Sequence, residues 1–251
     1  MSAERYIRLE SQEGGVARLD IHLPPVNVIG VADVDELTRR IEGAAGSRVV
    51  VLAGLPRAFS AGVEIADHAP ESGAIERMLT AMGGLLAALV ETPAVTVAAV
   101  SGACLGGGAE IVAACDFVLA AQDARIGFPE IRLGCFPPAA AVLLPERIGE
   151  TRAVEWILTG KIFSGKEAAE VGFATRAVPS AALEGEARRL ARELASRGAA
   201  ALGAARDLLR AGRKNALATG LARAEDAYRK LEGDPDLARA VQKFKERKVS
   251  G

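Results

Sequence analysis

The stretch that most constrains this chain is Ser101–Glu130, SGACLGGGAEIVAACDFVLAAQDARIGFPE. Three consecutive glycines, Gly106-Gly107-Gly108, stand directly before a helix-like run that carries Glu110. Glycine lets a backbone turn sharply and leaves its amides bare of side chains. A helix start adds unpaired N–H groups and the positive end of the helix dipole. Together they predict a donor pocket for an oxygen that gains negative charge. A second acid, Glu130, follows Gly127-Phe128-Pro129. Two carboxylates beside such a pocket can move protons, a pattern that points to an enzyme acting on a carbonyl or thioester.

Each feature also has a plainer reading. The glycines could form a dinucleotide turn, but the spacing is GxxxGGG rather than GxGxxG, and no Lys-Ser/Thr of a phosphate loop follows. A purely structural turn stays open. Glu110 could simply complement the helix dipole. Yet Ala109, Ile111, Val112, Ala113 and Ala114 around it are all apolar, and burying a lone acid there is costly without a task or partner. Burial would raise its pKa, which suits proton transfer. Glu130 alone reads as a loop acid. Beside Glu110 it gains weight, because hydrating a double bond needs a base for water and an acid for carbon. Ser60-Ala61-Gly62 follows Phe59 and offers a weak signal for a second backbone donor. Of the two histidines, His22 falls in a strand-like run, and His68 lacks a partner acid or nucleophile at motif spacing.

Composition narrows the class. At 251 residues the chain is near the upper limit for one core. Half its residues are hydrophobic but only 4% aromatic, so the core must be closely packed Ala, Val, Leu and Ile. A net charge of −1 argues against nucleic acid as the main partner. Met1–Leu9 is polar and mixed, unlike a secretory signal. Glu91, Glu110 and Asp116 interrupt the most apolar region, so no membrane span is expected, and a cytoplasmic protein follows. Cys104, Cys115 and Cys135 are an odd set without CxxC spacing, expected to be reduced and buried, with no metal bound.

Along the chain, Tyr6–Glu10 and Val16–Leu23 alternate like two strands joined at Glu13-Gly14-Gly15. Further strands are expected at Val49–Ala53, Val95–Val100, Phe117–Ala120 and Phe173–Val178. Helices are expected at Asp33–Glu42, Ile75–Val90, Gly107–Ala114, Ala139–Ile148, Thr151–Leu158 and Lys166–Glu170, with Ala58–Ile65 a loop. From Ala181 the chain reads as almost all helix. The expected organisation is an α/β core over residues 1–180 and a helical region over 181–251. The tail's Leu202, Ala205, Leu208 and Leu209 need a partner surface.

Six segments in order resemble the crotonase family, also called enoyl-CoA hydratase/isomerase. They are PPVNVIGVADVDEL, RAFSAGVEI, VTVAAVSGACLGGGAEIVAACDFVLA, GFPEIRLG, LTGKIFSGKEAAEVGFATRAVP and VQKFKERK. The resemblance implies a spiral of ββα units, a C-terminal helical region used in homotrimers or hexamers, and an acyl-CoA thioester substrate with no separate cofactor. It implies Glu110 and Glu130 as the catalytic acids. The backbone N–H groups of Ala61 and Gly107 would form the oxyanion hole. Ala61, Gly62, Val63, Glu64 and Ile65 would line the coenzyme A path, and Lys243, Lys245 and Lys248 could meet its phosphates.

One departure stands out. Where the family usually has a glycine-rich loop, this chain has Cys135-Phe136-Pro137-Pro138, and Pro138 has no N–H to hold a reacting water. The FPP element, with DHAPE after the donor loop, resembles cyclic dienoyl-CoA hydratases of anaerobic aromatic degradation, such as cyclohexa-1,5-dienecarbonyl-CoA hydratase. The expected activity is hydration of an unsaturated acyl-CoA through a stabilised enolate. The alternatives are straight-chain 2-enoyl-CoA hydration, double-bond isomerisation, and a non-catalytic RNA-binding role on the same fold.

Overall fold

The computed structural model describes residues 4–64, 73–231, 234–239, 242 and 246. The antiparallel pair β1 (Tyr6–Ser11) and β2 (Val16–His22) meets at a tight turn, followed by β3 (Val28–Ile29) and α1 (Val31–Gly43). The chain continues through β4 (Val49–Ala53), β5 (Ala58–Ser60), β6 (Gly62–Val63) and α2 (Ala74–Glu91). Next come β7 (Val95–Val100), β8 (Ala103–Leu105) and α3 (Gly107–Ala114). A third turn holds β9 (Phe117–Ala121), β10 (Arg125–Gly127) and a 3-10 turn over Pro129–Leu133. Then follow α4 (Pro138–Ile148), α5 (Glu150–Thr159), β11 (Ile162–Ser164), α6 (Gly165–Glu170) and β12 (Arg176–Val178). Two helices close the chain, α7 (Leu183–Ala195) and α8 (Ala199–Arg229).

The order is a spiral. From β4 onward each turn gives one strand to a six-stranded sheet, β1-β2-β4-β7-β9-β12, and one to a four-stranded sheet, β11-β10-β8-β5, while β3 pairs with β6. All but the β1–β2 pair of the larger sheet run parallel. Parallel strands are covered on both faces, which is why β4 and β7 are wholly buried and apolar apart from Thr96, whose hydroxyl is bonded to Asp116.

Where the sequence shows a loop at 58–65, the structure has β5 and β6. The last strand is shorter than its apolar run: Phe173 leaves the sheet to pack against Trp156, ring centroids 5.1 Å apart. Strands of three residues are too short to show a period.

The change in composition near residue 180 does not mark a break in the core. α7 buries Leu183, Ala187, Leu190, Ala191 and Ala195 against β2, β4, β7 and β9. α8 packs on α2 and α4, and its buried residues Arg206, Arg210, Leu217, Ala224 and Tyr228 recur at helical spacing along one stripe. Arg210, 1% exposed, is bonded through Nε to Asp116 Oδ1 at 2.6 Å and through Nη1 to the carbonyls of Val90 and Thr92 at 2.9 and 3.1 Å. Leu202 packs against the core, whereas Leu208 and Leu209 lie off the stripe and are 80% and 78% exposed. Among the described residues no helix is long and apolar enough to cross a membrane. Cys104, Cys115 and Cys135 are free and buried.

Candidate active site

Three neighbouring parallel strands of the small sheet, β5, β8 and β10, point their C-terminal ends at one place. Ligand sites in α/β proteins gather at such strand ends, where the chain leaves the sheet. Here β5 leads to Val63, β8 to Gly107 and Glu110, and β10 to Glu130. Leu105 and Gly127 are register partners, and Gly106 N–H donates to the Gly127 carbonyl at 2.9 Å. That bond brings the two acid-bearing turns together.

The glycines are required by contact. Gly106 has φ 52°, and a Cβ there would sit 2.6 Å from Glu130 Oε1. A Cβ on Gly107 would sit 2.6 Å from Val63 Cγ1. The Glu130 carboxyl therefore lies directly over the turn that opens α3. Gly107 is the first residue of α3, so its N–H has no acceptor within the helix.

Glu110 lies in a helix whose eight residues are all buried, and it is 5% exposed. Its Oε1 accepts from the amides of Ala139 at 2.8 Å and Ala140 at 3.0 Å, in the first turn of α4. Burial pushes its carboxyl well above the ordinary carboxylate range, and the two amides pull it partly back. Glu130 is raised by burial and then by the neighbouring Glu110 charge, and its Oε2 is buried with no hydrogen-bond partner. The two acids thus differ: two amides of α4 favour charge on Glu110, whereas on Glu130 only its own backbone amide does and the Glu110 charge opposes it.

The two glutamates share a narrow, mainly apolar cavity with Val63 and Gly107. Met78, Met82 and Leu86 of α2 form one wall, Phe136, Pro138 and Ala139 a second, and Leu221 and Tyr228 of α8 a third. Pro138 opens α4, so the amides that follow it go to Glu110.

The structure brings together Glu110, Glu130, Gly107, Val63 and Pro138, but it corrects Ala61. The Ala61 N–H already donates to the Val26 carbonyl at 3.0 Å, and Ala61 does not line the cavity. Gly62 N–H is taken up by Ser60 Oγ at 3.1 Å. Val63 is different. It pairs with Ile29, yet Glu64 N–H, not its own, donates to the Ile29 carbonyl at 2.9 Å. In a parallel ladder alternate residues bond to opposite sides. The Val63 N–H therefore faces away from β3, and Val63 lines the cavity beside Gly107. Glu64 lies beside this edge, whereas Ile65, His68, Lys243, Lys245 and Lys248 lie outside the described residues.

Sequence reasoning also missed Asn27 and Tyr228. Asn27, fully buried at φ 52°, donates through Nδ2 to the carbonyls of Ile21, Ala58 and Phe59 at 2.8, 3.2 and 2.9 Å, and its own carbonyl accepts from Ser60 Oγ at 2.8 Å. It holds the 58–61 segment in place. Its signal was present, since it stands within the PPVNVIG segment. His22 stacks on Tyr6, ring centroids 4.6 Å apart, on the strand pair at the sheet edge.

These features are those of a crotonase-like fold with an acidic pair at the strand ends. The enoyl-CoA hydratase/isomerase family model matches residues 11–250, and the chain belongs to that family. Cyclohexa-1,5-dienecarbonyl-CoA hydratase of Thauera aromatica is 34% identical over 164 residues, which spans 64% of this chain and 63% of that protein. A Rhodobacter capsulatus protein described as "Probable enoyl-CoA hydratase" is 34% identical over 96% of this chain and 95% of its own. Among solved structures, an enoyl-CoA hydratase from Mycobacterium avium subsp. paratuberculosis superposes with a TM-score of 0.86 at 26% identity, covering 96% of both chains.

Proposed function

We propose that this protein is a hydro-lyase that adds water to the double bond of an unsaturated acyl-CoA thioester. The observation that carries this reading is the pair of raised carboxyls sharing one cavity with Gly107 and Val63, whose amides are not taken up by α3 or by the ladder to β3. The thioester oxygen accepts from the N–H groups of Gly107 and Val63, which face the charge that develops there. Glu110, held anionic by the Ala139 and Ala140 amides, takes a proton from water as its oxygen bonds to the β-carbon. The π electrons move onto the thioester oxygen as an enolate. When the enolate collapses, Glu130 gives its proton to the α-carbon. Glu110 ends protonated and Glu130 ionised, and one proton passing between them resets the pair. An isomerase needs only one such group, so two acids with different environments favour hydration.

The acyl group we favour is a compact unsaturated ring. Pro138, Phe136 and Tyr228 make stiff walls, and the similarity to the Thauera aromatica hydratase supports the same choice. Apolar walls discriminate by only about 1–3 kcal/mol, so some straight-chain turnover is expected. Comparing kcat/KM for cyclohexa-1,5-dienecarbonyl-CoA and crotonyl-CoA tests this. A higher value for crotonyl-CoA would overturn the ring preference and leave the hydratase reading standing. No hydration of either, together with RNA retardation in a gel, would overturn the hydratase reading itself.

We also propose a homotrimer or hexamer in solution. Leu208 and Leu209 of α8, with Val154 and Leu158 of α5 at 49% and 63% exposure, are large apolar residues left uncovered. A monomer mass by light scattering at micromolar concentration would overturn this.

A further inference from the structure

Polar bonds join α3 and α4 at two places. At the first, Glu110 of α3 accepts through Oε1 from the Ala139 and Ala140 amides in the opening turn of α4. At the second, Arg147 in the last turn of α4 reaches the end of α3. Its Nη1 donates to the carbonyls of Ala113 and Cys115, both at 2.9 Å, and its Nε donates to the Phe173 carbonyl at 2.9 Å. Each helix thus places a charged group on the other's end. Each group also has the sign that end favours, a carboxylate at the N-terminus of α4 and a guanidinium at the C-terminus of α3.

Arg147 stands seven residues after Ala140, roughly 10 Å along the axis. Between them α4 buries Leu143 and Leu144. Apolar burial is non-directional, so it does not fix how far one helix slides along another. Hydrogen bonds do, because they weaken steeply as they bend. The guanidinium is a planar, rigid fork of donors, and here it also lies over the Phe173 ring at 5.4 Å. Burial, and then the Arg213 charge, push its pKa down to about 10, so Arg147 stays cationic at neutral pH. Arg147 does not line the cavity.

We propose that Arg147 is a positioning residue for Glu110: it sets the register of α4 on α3 and so keeps the Ala139 and Ala140 amides on the carboxyl. The kinetic part of this proposal rests on the hydratase reading above. If α4 shifts, the two amides part from Oε1 and the charged form of Glu110 loses its stabilisation. Among the described residues, the titratable groups that face Glu110 are Glu130, Cys135 and Tyr228, while α2 presents Met78, Met82 and Leu86.

The test uses the full-length protein. Arg147→Met should lower kcat about 10-fold, the scale of a small misplacement, while KM changes less than about twofold. Glu110 must be ionised to act as base, and losing amide bonds raises its pKa, so the acid limb of kcat/KM should move to higher pH. Two measurements need no activity. Amide hydrogen exchange at Ala139 and Ala140 should quicken in Arg147→Met. In a Glu130→Gln background, which removes the coupled carboxyl, the Glu110 titration followed by NMR should move to higher pH when Arg147→Met is added. Arg213→Met is the control. It removes a cation from the same end of α3, where Arg213 Nη1 meets the Ala114 carbonyl at 3.5 Å, but that cation comes from α8. It should lower Tm and leave the exchange and the titration in place. Arg147→Lys keeps the charge without the fork and should shift both in the same direction by less. It is read alone if Arg147→Met does not fold. Parental exchange at Ala139 and Ala140 in the Arg147 variants would overturn the proposal, as would equal shifts in Arg213→Met. A parent protein with no hydratase activity would count against the hydratase reading alone, and the exchange and the Glu110 titration would still decide the role of Arg147.

Discussion

The two halves of the acid pair are built differently. Glu110 sits inside the spiral, on a helix buried throughout and capped by amides from the next helix. Glu130 sits on a short 3-10 turn, where its own carbonyl accepts from the Cys135 amide and thiol. The first carboxyl accepts from two amides of the next helix, and the second is left without a partner for one oxygen. The proposed reaction uses an anionic base and a neutral acid, and the two carboxyls differ in that direction, because two α4 amides favour charge on Glu110 whereas only its own backbone amide does so on Glu130.

The largest effect that would break this contrast is on rate. Glu110→Gln and Glu130→Gln should each cut hydration by about 10²–10⁴-fold, with thioester binding retained. Near-parental kcat in either variant, from steady-state assays with the preferred thioester, would remove that residue from the proton path.

The next effect separates two neighbouring amides. Val63→Pro removes an N–H that makes no ladder bond to β3, so the strand pair survives while an oxyanion donor is lost, at about 10²–10³-fold in kcat. Ala61→Pro instead removes the bond to Val26 and should lower Tm more than kcat. If Ala61→Pro lost turnover and Val63→Pro kept it, the roles of the two amides would be reversed.

Stability provides a third contrast. A carboxyl whose folded pKa is raised stabilises the fold fully only below its unfolded pKa, and this contribution is lost as pH rises through the folded value. Both glutamates are raised, so both cost stability at neutral and alkaline pH. Glu130→Gln should therefore stabilise the protein by about 1–3 kcal/mol above neutrality, with the gain vanishing in mild acid. Glu110→Gln should gain less, because the charged acceptor of two amides is lost. Thermal melts across pH would expose a wrong assignment as equal gains.

The smallest effect is a shift in a pH profile. The active form needs Glu110 ionised and Glu130 protonated, so the bell of kcat/KM should lie above the ordinary carboxylate range, bounded by the two apparent pKa values of the pair. In Glu110→Gln the neighbouring negative charge is gone. The Glu130 titration, followed by carboxyl NMR, should then move to lower pH. An unchanged or higher value would mean that the two acids do not sense each other.

Much of this site is legible in the order of residues alone. The glycine run, the acid inside an apolar helix and the acid after Gly-Phe-Pro are local patterns, and local sterics and burial cost explain them. The long strands β4 and β7 are legible because parallel strands covered on both faces are almost continuously apolar. The short strands β5, β6, β8 and β10 are not, since three residues carry no period, yet their ends hold the whole site.

By itself, the sequence determined the chemistry: which carboxyls are present, that one of them must be buried, and that a helix start stands beside both. The tertiary structure alone decided three further things. It decided that the Ala61 amide is taken up by Val26 while the Val63 amide makes no bond to β3, because the direction of an N–H depends on which strand pairs alongside. It decided that Glu110 is the acid favoured as an anion, because the amides that reach it come from α4, across the spiral. And it decided that Tyr228 of the last helix lines the cavity of the acid pair and shares an apolar cluster with Cys135, since the helical period sets which face of α8 is buried but not which element that face will meet.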